Sequence, residues 1–479
     1  MKKPATSRRL QLSRRASAAR WDASLEYNVG IWHKVSPSQL FVGSFGLLIL
    51  LGTLGLKFLP GMSASSPLSW SDCLFTATSA VCVTGLTVVD TATQFTFRGQ
   101  LFILFLIQLG GLGILAFTSL LIQVLGFHVS LRAESLTHEA KKGGPNVDLK
   151  RLTLDVVIFT FVIEAIGSLG LWITWGPRLG WAEAVWPAVF HSISGFCNAG
   201  FSTYSDSLIG FRESSATLLI ISAMIISGGL GFVAMEESVL YFAKRKKPGS
   251  RRLSVHTRLV LVSSIVLLVV PWPMFAFFEW HATLDGLSVA DKIINSLFLS
   301  VTPRTAGYNS IDYSAASDGT NFLTIILMSI GGSPGSTAGG MKTTTFALII
   351  LLAWSRFRGN ETTVFALRSI PPDTIQRAIG LAVVATTVMV LGVFALAITE
   401  HVPESRGNFL SRMFEAVSAF NTVGLSMNLT PNLTFPGRLV TILLMFLGRV
   451  GPLTLAAALV IGRAKRAHFR YAYEDVIVG

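Results

Sequence analysis

Four short glycine-centred segments recur along this chain of 479 residues, and each lies between two apolar stretches. Written through their central glycines, they are Cys82-Val83-Thr84-Gly85, Cys197-Asn198-Ala199-Gly200, Arg304-Thr305-Ala306-Gly307 and Asn421-Thr422-Val423-Gly424. Backbone carbonyls can replace the water around a monovalent cation without adding net charge, provided that they face one axis. Glycine permits the backbone angles that such a strand needs. We therefore predict that these residues form an ion-selective filter.

The spacing of the four glycines indicates an internal repeat. They lie 115, 107 and 117 positions apart (85 to 200, 200 to 307 and 307 to 424). A second glycine position follows each of them in the next apolar stretch, as Gly110-Gly111, Gly228-Gly229, Gly331-Gly332 and Gly448-Arg449. A single glycine in a membrane helix more often serves close helix packing. Four in register instead indicate that one chain repeats the same unit four times, as a pore made by a single chain would.

The composition places most of the chain in lipid, because 51% of the residues are hydrophobic, only 14% are charged and the mean hydropathy is +0.59. Eight nearly uncharged stretches are long enough to cross a hydrocarbon core of about 30 Å as helices. They are residues 37–60, 99–126, 154–176, 215–243, 259–278, 321–354, 379–398 and 439–461.

Four shorter, semi-polar segments precede the glycine-centred loops, at residues 70–81, 186–196, 291–301 and 411–420. They are too short to span a bilayer, and non-helical backbone at membrane depth is tolerated only where protein or a water-filled cavity surrounds it. Each repeat is therefore predicted to contain an outer span, a re-entrant pore helix, a filter strand and an inner span. The predicted fold class is an all-α polytopic membrane protein with eight transmembrane helices around a pseudo-fourfold pore.

The repeats divide the chain into six segments. A basic amino-terminal segment covers residues 1–36, the four repeats cover 37–126, 152–243, 258–354 and 377–462, and a tail covers 463–479. The net charge is +13, and the basic residues cluster in segments that alternate with the glycine-centred loops. The positive-inside rule therefore predicts that both termini are cytoplasmic and that the four loops face outward.

Other function classes are disfavoured by the residues. The basic residues form no aromatic-interleaved patch, so membrane lipids, and not nucleic acids, are the predicted contacts of the basic face. The three cysteines, Cys73, Cys82 and Cys197, are interpreted as packing residues. The sequence contains no phosphate-binding loop and no nucleophile with a plausible base, so an enzyme is not predicted.

The third inner span contains a predicted gate. Its central residues are Gly331, Gly332, Ser333, Pro334, Gly335, Ser336, Thr337, Ala338, Gly339 and Gly340. Five glycines and a proline in ten positions cannot remain helical, so a flexible loop over 331–342 is expected, with a kinked packing span as the alternative. Lys342 is either a ring charge below the filter or a side chain that extends to the interface.

Arg449 occupies the second position of the glycine pair in the fourth repeat, within an apolar stretch. A charge at membrane depth is costly unless it faces a cavity or a partner. Arg449 is therefore interpreted either as an electrostatic barrier to conducted cations or as a tie to the carbonyls and hydroxyls of the loop.

The four loops resemble those of a known family, the Trk/Ktr/HKT superfamily of potassium transporters. The motifs that carry the resemblance are Ser79-Ala80-Val81-Cys82-Val83-Thr84-Gly85-Leu86, Gly195-Phe196-Cys197-Asn198-Ala199-Gly200-Phe201, Thr302-Pro303-Arg304-Thr305-Ala306-Gly307-Tyr308 and Ala419-Phe420-Asn421-Thr422-Val423-Gly424-Leu425. The resemblance implies four M1-P-M2 repeats related to the potassium-channel pore, with K⁺ held at the filter carbonyls and the 331–342 loop as an intramembrane gate. Gly85 resembles the potassium-selective form, since some sodium-conducting relatives carry serine there.

The same resemblance implies partners and a location. The chain is closer to the Ktr type, for which it implies a homodimer on a cytosolic RCK-type ring of regulatory subunits in a bacterial cytoplasmic membrane. The regulatory nucleotide, ATP, ADP or NAD, is expected on that ring and not on this chain, and Na⁺ is a possible stimulating ion. Tyr308 stands where many relatives have phenylalanine, and little consequence is expected because its side chain should point behind the filter.

Potassium uptake through a channel-like subunit is thus the predicted function. A sodium-permeable or non-selective cation transporter is the alternative within the same class. An alternating-access transporter is the alternative from another class, but inverted repeats would favour it and these four repeats run in the same orientation.

Overall fold

The computed structural model describes residues 37–64, 66–112, 149–244, 253–400 and 408–459. The predicted segments 1–36 and 463–479 therefore lie outside the described residues.

The first two repeats have these elements. Repeat 1 contains α1 (Pro37–Phe58), α2 (Trp70–Val81), the short α3 (Thr91–Gln94) and α4 (Phe97–Gly111). Repeat 2 contains α5 (Leu149–Leu179), α6 (Val185–Phe196), a 3-10 turn (Ile209–Phe211), α7 (Ser215–Gly229) and α8 (Phe232–Lys244).

The last two repeats follow the same order. Repeat 3 contains α9 (Val255–Val269), α10 (Pro271–Glu279), α11 (Val289–Val301), α12 (Asp318–Met328) and α13 (Thr343–Phe357). A two-stranded antiparallel hairpin, β1 (Val364–Phe365) and β2 (Arg368–Ser369), leads to repeat 4. Repeat 4 contains α14 (Pro372–Thr399), α15 (Phe409–Phe420), a 3-10 turn (Thr430–Asn432), α16 (Phe435–Val450) and α17 (Pro452–Leu459).

The outer helices are the long apolar helices of the molecule. Within the described residues, four helices are long and apolar enough to cross a membrane, at Ser38–Phe58, Val156–Leu179, Val255–Glu279 and Pro372–Thr399. They coincide with the four predicted outer spans. Many of their large apolar side chains, such as Phe161 and Phe394, are exposed in the isolated chain, which suits a surface whose solvent is lipid.

The inner helices of repeats 2, 3 and 4 are interrupted in the middle, and the sequence predicted this only for repeat 3. In repeat 2, α7 and α8 meet at a bend of 103°, where Gly231 has a φ of +86°. In repeat 4, Gly451 separates α16 from α17 with the same φ of +86°. The uninterrupted spans expected at 215–243 and 439–461 are thus corrected to broken helices, because a left-handed glycine ends the helix. In repeat 1, α4 ends at Gly111, and the predicted continuation to residue 126 lies outside the described residues.

The pore helices α2, α6, α11 and α15 lie within two residues of the predicted segments at each end. Three of them begin at a capping residue whose side chain accepts a backbone N–H, namely Ser69, Ser288 and Asn408. Such caps replace the missing hydrogen bonds of the first helical turn. The pore helices are packed in the interior, where Phe75, Phe190, Phe298 and Phe414 are all fully buried.

Candidate filter and gate

The four glycine-centred loops share one unusual backbone conformation. Gly85, Gly200, Gly307 and Gly424 all have positive φ, at +94°, +69°, +74° and +92°. The residue two positions earlier also has positive φ in every loop, and these residues are Val83, Asn198, Thr305 and Thr422. A left-handed conformation is rare for β-branched residues, and strain of this kind is often found at functional sites. Because it recurs at one register in four loops, we attribute it to the common shape of the filter.

The four loops close into a ring. A Cβ added to Gly200 would lie 2.9 Å from the carbonyl oxygen of Ala306, and one added to Gly307 would lie 2.7 Å from that of Val423. Gly85 approaches the carbonyl oxygen of Ala199 in the same way, and Gly424 approaches that of Thr84. Each glycine therefore meets the carbonyl that precedes the glycine of the next repeat, in the order 1, 2, 3, 4 and back to 1. Four equivalent oxygens consequently lie at one level of the ring, and no side chain fits at the four glycines.

A hydroxyl from each pore helix or its cap fixes each loop. The amide N–H of Gly85 donates to Ser79 Oγ (3.1 Å), and that of Gly424 donates to Ser418 Oγ (3.1 Å). In the other two repeats the hydroxyl donates to the carbonyl after the glycine, from Ser194 Oγ to Phe201 (2.9 Å) and from Thr302 Oγ1 to Tyr308 (2.7 Å). Thr302 lies one residue closer to its glycine than the three serines do, so sequence reasoning did not find it.

The predicted filter residues divide into backbone and side-chain roles. The Arg304 guanidinium is buried and donates to Ser264 Oγ on α9 (3.0 Å), so the side chain points to the outer helix and not to the ring. Its carbonyl accepts a hydrogen bond from Asn198 Nδ2 (3.2 Å). Cys82 and Cys197 are buried free thiols, as the packing interpretation expects. Among the described residues, the buried oxygens Thr84 Oγ1, Asn198 Oδ1 and Thr422 Oγ1 have no hydrogen-bond partner.

The second glycines seat the inner helices against the pore helices. A Cβ at Gly110, Gly228 or Gly448 would collide with the last carbonyl of the neighbouring pore helix, which belongs to Val81, Phe196 or Phe420 respectively. Close backbone contact of this kind is the usual reason for glycine in membrane helices. Gly331 differs, because a Cβ added there would meet carbonyl oxygens of the 331–342 loop itself. That Cβ would lie 2.5 Å from the oxygen of Gly339 and 3.0 Å from the oxygen of Met341.

The residues between α12 and α13 form a loop, as their glycine and proline content predicts. Two hydrogen bonds join the loop to the end of α7. The N–H of Ser333 donates to the carbonyl of Gly229 (3.0 Å), and the N–H of Thr337 donates to the carbonyl of Gly228 (3.3 Å). It bonds to α16 through Gly340 N–H to Gly448 O (3.2 Å). The loop therefore satisfies carbonyls that the broken inner helices leave without helical partners.

The same loop contacts the filter loops where they leave their pore helices. A Cβ at Gly339 would collide with the Thr422 side chain, and one at Gly340 would lie 2.5 Å from Asn421 Oδ1. Thr337 Oγ1 donates to the carbonyl of Phe196 at the end of α6 (3.4 Å). Ser333 is fully buried and Thr337 nearly so. The loop thus contacts the residues at which filter loops 2 and 4 begin.

The side chains of Arg449 and Lys342 both donate hydrogen bonds to backbone carbonyls of the 331–342 loop. The Arg449 guanidinium donates to the carbonyl of Thr337 in the loop and to that of Gly110 on α4. Lys342 Nζ donates to the carbonyl of Ala338 (2.7 Å). The contacts of Arg449 agree with the interpretation of this residue as a tie, and a guanidinium can also act as a fixed positive charge at this place.

The buried carboxyl group of Glu164 lies behind filter loop 2. Glu164 on α5 accepts a hydrogen bond from Gln108 Nε2 on α4 (3.3 Å), and Cys197 Sγ lies 3.4 Å from Gln108 Oε1. Three elements thus meet behind filter loop 2. Within residues 37–64, 66–112, 149–244, 253–400 and 408–459, no three His, Cys, Asp or Glu side chains group as metal ligands.

A ring of four equivalent loops, each between an outer and an inner helix, defines a membrane pore with pseudo-fourfold symmetry. The chain matches the TrkH family, described as cation transport protein, over residues 42–468. Ktr system potassium uptake protein B of Bacillus subtilis is 39% identical to it over 450 residues, which cover 94% of this chain and 98% of that protein. Potassium/sodium uptake protein NtpJ of Enterococcus hirae is 37% identical over 451 residues, which cover 93% and 98%.

The fold is also that of a solved structure. The crystal structure of the potassium transporter TrkH from Vibrio parahaemolyticus matches with a TM-score of 0.70 at 20% identity, over 90% of this chain and 87% of that one. The family match over residues 42–468 and the relative at 39% identity show that the chain belongs to the TrkH family of cation transport proteins. Its predicted fold class, an all-α polytopic membrane protein of four M1-P-M2 repeats, is confirmed.

Proposed function

We propose that this protein is the pore-forming subunit of a potassium uptake system. The observation that carries the proposal is the ring in which each filter glycine meets the carbonyl of the next repeat. An ion that leaves water must recover its hydration energy, and a ring of carbonyl oxygens supplies it without a fixed charge. The names of the relatives from Bacillus subtilis and Enterococcus hirae, which both specify potassium uptake, support K⁺ as the substrate.

In this mechanism K⁺ enters from the side of the extended loops and loses water at the ring. The carbonyls of Thr84, Ala199, Ala306 and Val423 would face the ion at one level. The ion is proposed to move down its electrochemical gradient, because the four repeats follow the same order of elements and are not the inverted repeats typical of alternating access. The 331–342 loop and Arg449 would then form the gate below the ring.

The assembly is proposed by resemblance to the same family. We infer a homodimer in a bacterial cytoplasmic membrane, with both termini in the cytoplasm and a cytosolic RCK-type ring that binds the regulatory nucleotide. The word "system" in the name of the Bacillus subtilis relative supports a partner subunit. Na⁺ is proposed as a stimulating ion and not as the main substrate.

Sodium permeation is the second candidate, since the Enterococcus hirae relative is named a potassium/sodium uptake protein. The potassium-selective and sodium-permeable candidates are distinguished by measuring uptake of K⁺, Rb⁺ and Na⁺ in bacteria that lack their own potassium transporters. The cells should carry this chain with or without a candidate regulatory subunit, and an empty vector is the control. We expect growth at low K⁺ and uptake of K⁺ and Rb⁺ above Na⁺. Equal uptake of all three ions would support the non-selective alternative, and no uptake in cells that contain the folded protein would contradict the proposal.

A further inference from the structure

The Tyr308 hydroxyl crosses from filter loop 3 to filter loop 2. Tyr308 directly follows the filter glycine of repeat 3, and its hydroxyl donates to the carbonyl of Phe201 in repeat 2 (3.1 Å). The side chain is fully buried. Its position behind the filter agrees with the sequence-based expectation, but the hydroxyl there makes a bond that phenylalanine could not make.

The carbonyl that receives this bond is held by two donors. Phe201 directly follows Gly200, and its carbonyl also accepts a hydrogen bond from Ser194 Oγ of its own pore helix (2.9 Å). Both donors lie behind the ring, so they fix the orientation of the peptide group between Phe201 and Ser202, which is the second peptide after the filter glycine Gly200. A peptide held by one donor from its own repeat and one from the next also holds the two repeats together.

The aromatic side chains around Tyr308 make this contact rigid. The His191 ring stacks on Tyr308 with a centroid distance of 5.9 Å and on Tyr204 with a centroid distance of 5.3 Å. His191 is itself held at both ring nitrogens, by Ser202 Oγ (2.9 Å) and the carbonyl of Pro187 (2.8 Å). Tyr308, a residue of loop 3, is therefore held against repeat 2 by ring stacking as well as by its hydrogen bond.

A second bond connects the same two loops on the other side of their glycines. Asn198 Nδ2 donates to the carbonyl of Arg304 (3.2 Å) and lies 3.4 Å from Thr305 Oγ1. Filter loops 2 and 3 are thus joined both before and after Gly200 and Gly307. This arrangement fixes their separation along the length of the filter.

We propose that the Tyr308 hydroxyl is a positioning group that holds the filter at the width for K⁺, and therefore sets discrimination against Na⁺. Discrimination between these ions requires that the oxygen ligands keep their spacing or their number when the smaller ion enters. The bond from Tyr308 to Phe201 resists separation and sliding of filter loops 2 and 3, so it keeps the oxygen ligands of the two loops at a fixed spacing. The inference rests on the proposed function, because it assumes that the ring conducts K⁺.

The test replaces Tyr308 with phenylalanine, which removes the hydroxyl and keeps the ring. The matched control is Tyr204→Phe, because Tyr204 stacks on the same histidine while its hydroxyl has no hydrogen-bond partner among the described residues. Uptake of K⁺, Rb⁺ and Na⁺ is measured at equal protein levels in the membrane, and the thermal midpoint of the purified protein is measured in parallel. One neutral hydrogen bond is a modest interaction, so the ratio of K⁺ to Na⁺ uptake should fall about two- to tenfold in Tyr308→Phe and stay unchanged in Tyr204→Phe.

A second variant removes the other donor to the carbonyl of Phe201. Ser194→Ala removes the remaining donor to Phe201 and should also lower the ratio, with a further loss in the double variant. A wild-type ratio in Tyr308→Phe, with or without a lower thermal midpoint, would overturn the inference alone and leave Tyr308 as a packing residue. A wild-type protein that does not discriminate between the ions would overturn the proposed function, and this inference with it.

Discussion

At the scale of single residues, the proposed filter depends on positions where a Cβ is excluded. Gly85 has a φ of +94° and faces the carbonyl of Ala199 and the Cα of Gly200. The fourfold repeat predicted that Gly85 belongs to the filter, because glycine adopts positive φ at lower cost than other residues. It could not predict the positive φ of Val83, since a β-branched residue gives no local signal for a left-handed conformation and the surrounding ring imposes it.

The first prediction concerns this glycine. Gly85→Ser should lower the ratio of K⁺ to Na⁺ uptake on the order of tenfold, because the side chain meets backbone atoms of repeat 2 and strains a left-handed residue. The matched control is Gly46→Ser on α1, where an added Cβ has nothing within 4 Å. The measurement is ion uptake at equal membrane content. An unchanged ion preference in a well-expressed Gly85→Ser protein would remove Gly85 from the filter.

The second prediction concerns Arg449. Its guanidinium bonds to the carbonyls of Thr337 and Gly110, so it joins the loop to the first inner helix. Arg449→Ala removes both the tie and a positive charge from the proposed ion path, and K⁺ uptake should rise by at least about tenfold when the gate limits flux, since a charged hydrogen bond contributes about 1.5–3 kcal/mol. Arg449→Lys keeps the charge but not the planar fork, and should give an intermediate rate. Equal rates in all three proteins would show that Arg449 neither blocks nor ties the gate.

At the scale of elements, the pore helices were predicted well and the inner helices less well. The pore helices are short, capped and followed by a glycine-centred loop, so their limits can be read from the sequence. The breaks lie at Gly231 and Gly451, which are single glycines in apolar stretches. Such a glycine can also serve close helix packing, so it does not by itself predict a break. Only repeat 3 carries enough glycine to exclude a continuous helix. The one-residue offset of Thr302 could not be predicted either, because it depends on where α11 ends.

The third prediction concerns the loop between α12 and α13. Deletion of Ser333–Thr337 removes the bonds to the ends of α7 and the contact of Thr337 with α6. K⁺ uptake should then increase several-fold and become less dependent on the regulatory subunit, because the segment across the ring is shortened. Ser336→Ala is the length-preserving control, since its hydroxyl donates only within the loop, to the carbonyl of Ser333 (2.7 Å). Wild-type uptake by the folded deletion variant at every K⁺ concentration would place the gate elsewhere and leave the broken helix as a packing feature.

At the scale of the whole molecule, side-chain bonds between repeats complete the ring that the backbone outlines. Arg438 at the start of α16 forms an ion pair with Asp72 on α2 (2.7 Å), which joins the last repeat to the first. Both side chains are about one-fifth exposed, at 20% and 17%. Partial burial makes such a pair more costly to break than a surface pair. The bonds between repeats, such as Arg438 with Asp72 and Tyr308 with Phe201, could not be assigned from the sequence. Each of them joins two residues that are distant along the chain and that only the closed ring brings together.

The fourth prediction concerns the proposed cytoplasmic face and its proposed regulatory partner. The basic segment after repeat 2 contains Lys244, Arg245, Lys246, Lys247, Arg251 and Arg252, and all but the first of these lie outside the described residues. If the segment docks a regulatory ring, neutralising all six should weaken copurification of the dimer with the ring at least tenfold, with the largest effect at low salt, where charges are least screened. The control is the same protein bound to vesicles with and without anionic lipid, since each basic residue near a membrane contributes about 1 kcal/mol to lipid binding. Unchanged copurification together with weaker vesicle binding would assign the segment to lipid alone, and the ring would then have to dock elsewhere on the cytoplasmic face.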